Sequence, residues 1–339
     1  MDSITQATLG AAVGEVVLGH KVGNKAIFWG GVAGTLPDLD ILAYPLMDQI
    51  AQLGWHRGPS HAFFFLTIAA PILAFVIHKI KRREETTWRD WTLLVYFAFI
   101  THVLLDAFTI YGTQLFQPFN NWPVSFNSIS IVDPLYTIPL LATVIVVLFI
   151  SKKLTIRRKV IISGLLISTL YLGIAFGNKL HVNSVAKSNF ETKGIIAEKF
   201  ITTPTIFNSL LWRVTAKAGD GFYVGYYSIL DSSLNIDFTY LDQNYHLLKP
   251  KLKTDAVRRL LWFSRGYYIV REIEGQIQMA DIRFGTIDVG QPESSRFIFE
   301  WALKPNKENP KRGKIVKQDF SEVDFNAAFV QLWRRVRGI

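Results

Sequence analysis

The sequence predicts an α-helical polytopic membrane domain of about six spans over residues 1–178, followed by a mixed α+β soluble domain over residues 179–339. Three observations carry this expectation. Half of the residues are hydrophobic and only 19% are charged, where a soluble domain runs near a quarter charged. Up to residue 178 long apolar runs alternate with short charged loops, whereas beyond it apolar residues alternate at strand spacing among many charges. The basic residues of the first part gather in alternate loops. This composition excludes disorder and fibrous repeats. Cysteine is absent, so there is no disulfide framework and no thiolate metal site, and any metal must be held by His and carboxylates.

Residues 62–80, 91–110 and 134–151 are apolar runs near the length needed to cross a bilayer as a helix, and residues 160–177 are nearly as good. Residues 4–19 and 25–42 are shorter and rich in Gly and Ala. The small residues Gly10, Ala11, Ala12, Gly14, Gly30, Gly31 and Gly34 let helix backbones approach closely, which predicts packing inside the bundle. Of the 13 basic residues before position 178, 12 fall in alternate loops: Lys21 and Lys25; Lys79, Lys81, Arg82, Arg83 and Arg89; Lys152, Lys153, Arg157, Arg158 and Lys159. With six spans, the positive-inside rule puts these loops in the cytoplasm and both chain ends on the far side. Arg57 is the exception, a lone cation on the far side, read as serving a site rather than setting topology.

The residues able to do chemistry collect on that same side. In Gly34-Thr35-Leu36-Pro37-Asp38-Leu39-Asp40, Pro37 favours a break from helical geometry, so that Asp38 and Asp40 can both reach an ion; a helix cap plus a solvated acid is the alternative. In His56-Arg57-Gly58-Pro59-Ser60-His61, Gly58 and Pro59 enforce a turn, Ser60 is placed to cap the following helix, and His61 falls in its first turn. His56 and His61 are then imidazole ligands on a stiff corner, with Arg57 beside them to pair with an anionic oxygen. His102 and Asp106 stand four residues apart and share a helical face, so Asp106 either ligates or orients His102. Asp133, before Pro134, is a ligand or an N-cap. Glu15 and Gln6 lie on the first span, nine residues apart and on neighbouring helical faces, each needing a polar partner.

Asp38, Asp40, His56, His61, His102, Asp106 and Asp133 are too many for one closed structural ion and fit an open or two-metal site. Their all-N/O set suits a divalent metal, Zn first with Mn or Fe(II) as alternatives, in one or two copies. Hydrolysis by metal-activated water is the natural reaction class, with Arg57, Asp106 and Glu15 as the residues expected to take part. The His-Glu-x-x-His pattern of zincin peptidases is absent. A metal-containing scaffold, or a transporter using the buried acids and imidazoles as an ion path, is the rival reading.

The opening Met1-Asp2-Ser3-Ile4-Thr5-Gln6 with its Gly-rich run, Pro37-Asp38-Leu39-Asp40, the 56–61 segment, Thr101-His102 through Asp106, and Asp133 resemble the YdjM-type family of predicted membrane-bound metal-dependent hydrolases. The resemblance extends into residues 204–212 and Asp281-Ile282-Arg283-Phe284-Gly285. It implies a bacterial inner-membrane location and a hydrolase. Relatives carry His where this chain has Gln6, which implies a smaller ligand set here or Glu15 as substitute.

Beyond residue 178, residues 222–229, 267–273, 277–284 and 297–303 read as mostly antiparallel strands. Residues 254–263 and 321–336 read as helices, the latter with Phe325, Phe329, Leu332 and Val336 on a core-facing stripe. This domain holds 24 basic and 17 acidic residues and is expected outside the cytoplasm, where it can lie against anionic headgroups. No groove-reading motif is present, so the expected partners are membrane lipids and an amphipathic or lipid-like substrate, not nucleic acid.

Overall fold

The protein is described from a computed structural model covering residues 1–81, 85–287, 289, 296–318 and 324–339. Arg82 and Arg83 of the second basic loop and the start of the last expected helix lie outside the described residues. The chain divides into two compact units. One comprises Met1–Ala43, Trp55–Phe176 and Ile206–Asn208; the other comprises Tyr44–Gly54, Gly177–Thr205 and Ser209–Ile339.

The first unit is helical. Its elements are α1 (Ser3–Val22), α2 (Asn24–Thr35), most of a 3-10 segment (Leu36–Leu46), a 3-10 turn (Pro59–His61), α4 (Phe63–Ile80), α5 (Trp88–Ala107), α6 (Pro134–Leu148) and the part of α7 (Thr155–Thr192) up to Phe176; the rest of α7 and almost all of the short α3 (Gln49–Trp55) fall in the second unit. Among the described residues α4, α5 and α7 are long and apolar enough to cross a membrane. Six spans are not supported. With a rise of about 1.5 Å per residue, the 12 residues of α2 reach roughly 18 Å and the 15 of α6 roughly 22 Å, short of a hydrocarbon layer of about 30 Å. α2 stops because the chain tightens into the 3-10 segment that contains Pro37, not in a continuous helix to residue 42.

α4 and α7 expose apolar rows, Phe64, Ile68, Ile72 and Phe75 on one and Leu166, Ile167, Leu170 and Ile174 on the other, a surface that suits lipid and not water. α1 sits at the centre, packed on α2, α5 and α6. One side of it joins a core with Ala33, Leu66, Ala70, Leu94, Val95 and Ala98; the other joins Ile27, Leu105, Leu140, Val144 and Ile161.

The α1–α2 contact is backbone on backbone. A Cβ on Gly10 would collide with the Gly30 carbonyl, one on Gly30 would lie 2.9 Å from the Gly14 Cα, and one on Gly34 would lie 2.6 Å from the Gln6 carbonyl oxygen. Without a hydrophobic drive between helices in lipid, this close approach supplies the dispersion contacts that hold them together.

The second unit contains two four-stranded antiparallel sheets. The first has the order β1 (Lys199–Pro204), β2 (Leu211–Ala218), β3 (Gly221–Ser228), β4 (Phe238–Asp242); the second has β5 (Tyr268–Ile273), β6 (Gln276–Thr286), β7 (Phe297–Lys304), β8 (Lys314–Lys317). The helices α8 (Asp255–Ser264) and α9 (Phe325–Val336) accompany them. The expected stripe on α9 needs correction: Phe325 and Phe329 are exposed, and the buried face is Ala328, Leu332 and Val336, against Leu211 and Val289. Asp48 accepts a hydrogen bond from Arg312 at 2.5 Å, and Gln49 Oε1 accepts one from the Lys317 amide at 3.1 Å, so residues 44–54 dock on this unit.

Gly30→Ala is expected to destabilise the helical unit by about 1–3 kcal/mol, as an overpacked contact does, while Gly31→Ala, whose Cβ would sit 3.4 Å from the nearest atom, is tolerated. Thermal unfolding of both variants in detergent checks this.

Candidate metal centre

Four side chains from three stretches of the first unit converge. Asp38 comes from the 3-10 segment after α2, His61 from the turn before α4, and His102 and Asp106 from the last two turns of α5. One ligand-type atom from each lies within 4.8 Å of all the others. His61 Nε2 is 3.2 Å from His102 Nε2, 3.3 Å from Asp38 Oδ1 and 3.3 Å from Asp106 Oδ2; His102 Nε2 is 3.6 Å from each of the same two oxygens. Ligands about 2.05 Å from a tetrahedral ion stand about 3.3 Å apart, so these spacings match the edges of such a shell.

The tautomers follow from the partners. His102 Nδ1 lies 2.6 Å from the Gly34 carbonyl oxygen, which can only accept, so Nδ1 carries the proton. That carbonyl belongs to the last turn of α2, where helical carbonyls lack intrahelical partners. His61 Nδ1 lies 2.9 Å from Ser60 Oγ, whose own proton goes to Asp40 Oδ2 at 3.0 Å, so His61 Nδ1 also donates. Both Nε2 atoms therefore present lone pairs to one point, facing two carboxylate oxygens. Among the described residues the buried Asp106 Oδ2 accepts no hydrogen bond there. A proton on one ring relieves one pair of neighbours; a cation relieves all four.

Asp40 and His56 stand behind this cluster instead of in it. Asp40 receives His56 Nδ1 at 3.0 Å, the Arg57 amide at 2.9 Å and the Ser60 hydroxyl, and so organises the 56–61 corner. Ser60 does not cap α4, whose N-cap position is Ala62; it relays Asp40 to His61. Asp133 is the N-cap of α6, bonded by the Leu135 amide at 3.1 Å and by the Tyr171 hydroxyl at 2.9 Å and 3.0 Å. Glu15 lies about nine residues, or roughly 14 Å, along α1 from Gln6, and its carboxylate takes Arg157 Nε at 2.6 Å and Nη2 at 2.7 Å. Gly19 leaves the room for that carboxylate, since a Cβ there would collide with it.

Arg57 faces inward with a positive φ of 55°, 4% exposed. Its Nε stands 3.1 Å from Asp106 Oδ2, and Nη1 donates to Thr109 Oγ1 at 2.9 Å. Gln6 Nε2 donates to Asp106 Oδ1 at 2.9 Å and to the His102 carbonyl at 3.3 Å, and the Met1 amine also contacts Asp106 Oδ1. The roles of Ser60 as relay, of Thr109 and of the Gly34 carbonyl carry no residue-type signal, and only the three-dimensional arrangement exposes them.

Apolar helices long enough to cross a membrane, around a buried His/Asp cluster able to hold a metal ion, are the features of a helical membrane protein. The family model of the YdjM inner membrane protein matches residues 1–182, more than half of the chain, and the protein belongs to that family. The uncharacterized protein YfhP of Bacillus subtilis (strain 168) is 27% identical over 243 residues, covering 66% of this chain and 68% of its own. No solved structure matches the chain.

Ser60→Ala removes the acceptor that fixes the His61 tautomer and is expected to weaken metal binding by about 10–100-fold; titration against a chelator of known affinity reads this. Glu15→Gln leaves Arg157 without its charge partner and is expected to cost about 3–5 kcal/mol of stability, with metal stoichiometry unchanged.

Proposed function

We propose that the protein is a membrane-bound metal-dependent hydrolase that cleaves an ester or phosphoester bond of an amphipathic or lipid-like substrate at the membrane surface. The observation that carries this reading is the pair of Nε2 lone pairs 3.2 Å apart, each set by a proton committed on the other ring nitrogen. Asp38, His61, His102 and Asp106 would hold the ion. A divalent cation bound there supplies Lewis acidity and lowers the pKa of water into the neutral range.

The remaining chemistry belongs to the chain. Arg57 brings a fixed positive charge beside Asp106, where it stabilises negative charge on a substrate oxygen, and Thr109 holds its guanidinium in place. Asp38 is the open side, its side chain 14% exposed while the other three are at most 1%. Clustering of the ligands at one end of α5, with Glu15 neutralised by Arg157 elsewhere, favours a local site over an ion path. Four protein ligands are also what a closed structural site uses, which is the specific observation on the side of a metal-containing scaffold. The basic residues at the opposite helix ends from this centre support, by the positive-inside rule, a centre that faces away from the cytoplasm.

Elemental analysis of the purified protein is expected to find bound metal in the wild type and its loss in His61→Ala and Asp106→Ala. Chelator-sensitive cleavage of p-nitrophenyl esters or bis(p-nitrophenyl) phosphate is expected, falling about 100–1,000-fold in Arg57→Lys at unchanged metal content. Full metal content with no cleavage of either class selects the scaffold; full metal content in both ligand variants refutes the centre.

A further inference from the structure

The motif Asp281-Ile282-Arg283-Phe284-Gly285 lies in β6, in the second unit, and takes no part in the metal centre. Asp281 and Arg283 stand two residues apart on one side of the strand, and Gly285 follows where the β6–β7 register shifts. Arg283, 1% exposed, gives Nε and Nη2 to Asp281 at 2.6–3.1 Å and Nη2 also to the Phe263 carbonyl at 2.6 Å, with the Phe263 and Phe284 rings each 5.2 Å from its Cζ. Among the described residues its buried Nη1 has no acceptor.

Arg213 of β2, 6% exposed, reaches the Gly285 end of this segment. A Cβ on Gly285 would collide with its Nη1, which gives a reason for glycine there besides its φ of 81°. Arg213 Nη2 donates to Thr203 Oγ1 at 3.1 Å, the Tyr226 side chain also hydrogen-bonds its guanidinium, and among the described residues its buried Nε has no acceptor. Among the described residues Arg213 has no ion pair, and Asp281 is the one carboxylate paired with Arg283. Burial pushes the Arg213 guanidinium below its ordinary value and that of the neighbouring Arg265 down to about 9, the latter helped by the charge of Arg283. Guanidinium groups keep their charge at neutral pH, and buried charge in excess of its counter-charge is costly unless an anion joins it.

We propose that Arg213 and Arg283 form an anion site in the second unit that takes a phosphate group, with the orphaned Nε of one and Nη1 of the other as its donors. Two planar forks with unused donors suit a tetrahedral oxyanion better than a halide. The phosphate comes either from a free phosphorylated solute or from a phospholipid headgroup.

Inorganic phosphate titrated into the full-length protein in detergent tests this directly, by equilibrium dialysis and by thermal unfolding against chloride at matched ionic strength. Saturable binding with a raised melting temperature is expected, weakened at least tenfold in Arg213→Gln and unchanged in Glu272→Gln. Phosphate binding that is displaced in phosphatidylglycerol nanodiscs, but not in phosphatidylcholine ones, identifies the headgroup as source; binding indifferent to the lipid identifies the solute. No saturable phosphate binding by the wild type, or equal binding by a folded Arg213→Gln, overturns the proposal. Should Arg213→Gln not fold, the wild-type titration decides alone.

Discussion

Two imidazole nitrogens pointing their lone pairs at each other across 3.2 Å is an arrangement that a folded chain does not keep without a positive charge between them. Most of the helical unit is arranged to impose it. Gly34 and Ser60 take the Nδ1 protons, Asp40 holds Ser60, and two carboxylates close the remaining sides. The centre is thus set less by its four ligand residues than by the groups that remove every other way of satisfying them.

The constraint reaches back to the glycines. Gly34 can present its carbonyl to His102 because α2 lies directly on α1, and that contact exists because Gly10, Gly14, Gly30 and Gly34 carry no side chains. α1 in turn brings Gln6 against Asp106 at one end, and at the other it is tied to α7 through Glu15 and Arg157. Buried ion pairs contribute little net stability against an apolar alternative, but an unpaired partner is costly, so loss of either member of this pair is felt at both helices. Packing of small residues and placement of the ligands are one design in this protein.

Much of this was legible in the residues. His102 and Asp106 at i, i+4 had to share a face, and they do. The Gly-rich segments read as interior helices, and α1 is buried accordingly. Asp38 and Asp40 looked equivalent because Pro37 promised an unwound turn; in a 3-10 segment of about three residues per turn, positions two apart face away from each other, so Asp38 enters the cluster and Asp40 goes to the 56–61 corner. Nothing in residue type distinguishes them. In the second unit β2 shows no alternation because its first six residues are all buried, and β8 is only four residues long, so neither reads as a strand from sequence. The largest apolar side chains of α9 suggest one stripe, whereas Ala328 marks the face that packs.

The chemistry of the helical unit depends on what occupies the space between His61, His102, Asp38 and Asp106. X-ray absorption at the metal edge of the purified, zinc-loaded protein measures that directly. The geometry predicts one tightly held ion with imidazole scattering from two rings and nitrogen and oxygen neighbours at about 2.0–2.1 Å. A shell of oxygens without imidazole, or zinc removed by simple dialysis, would contradict it.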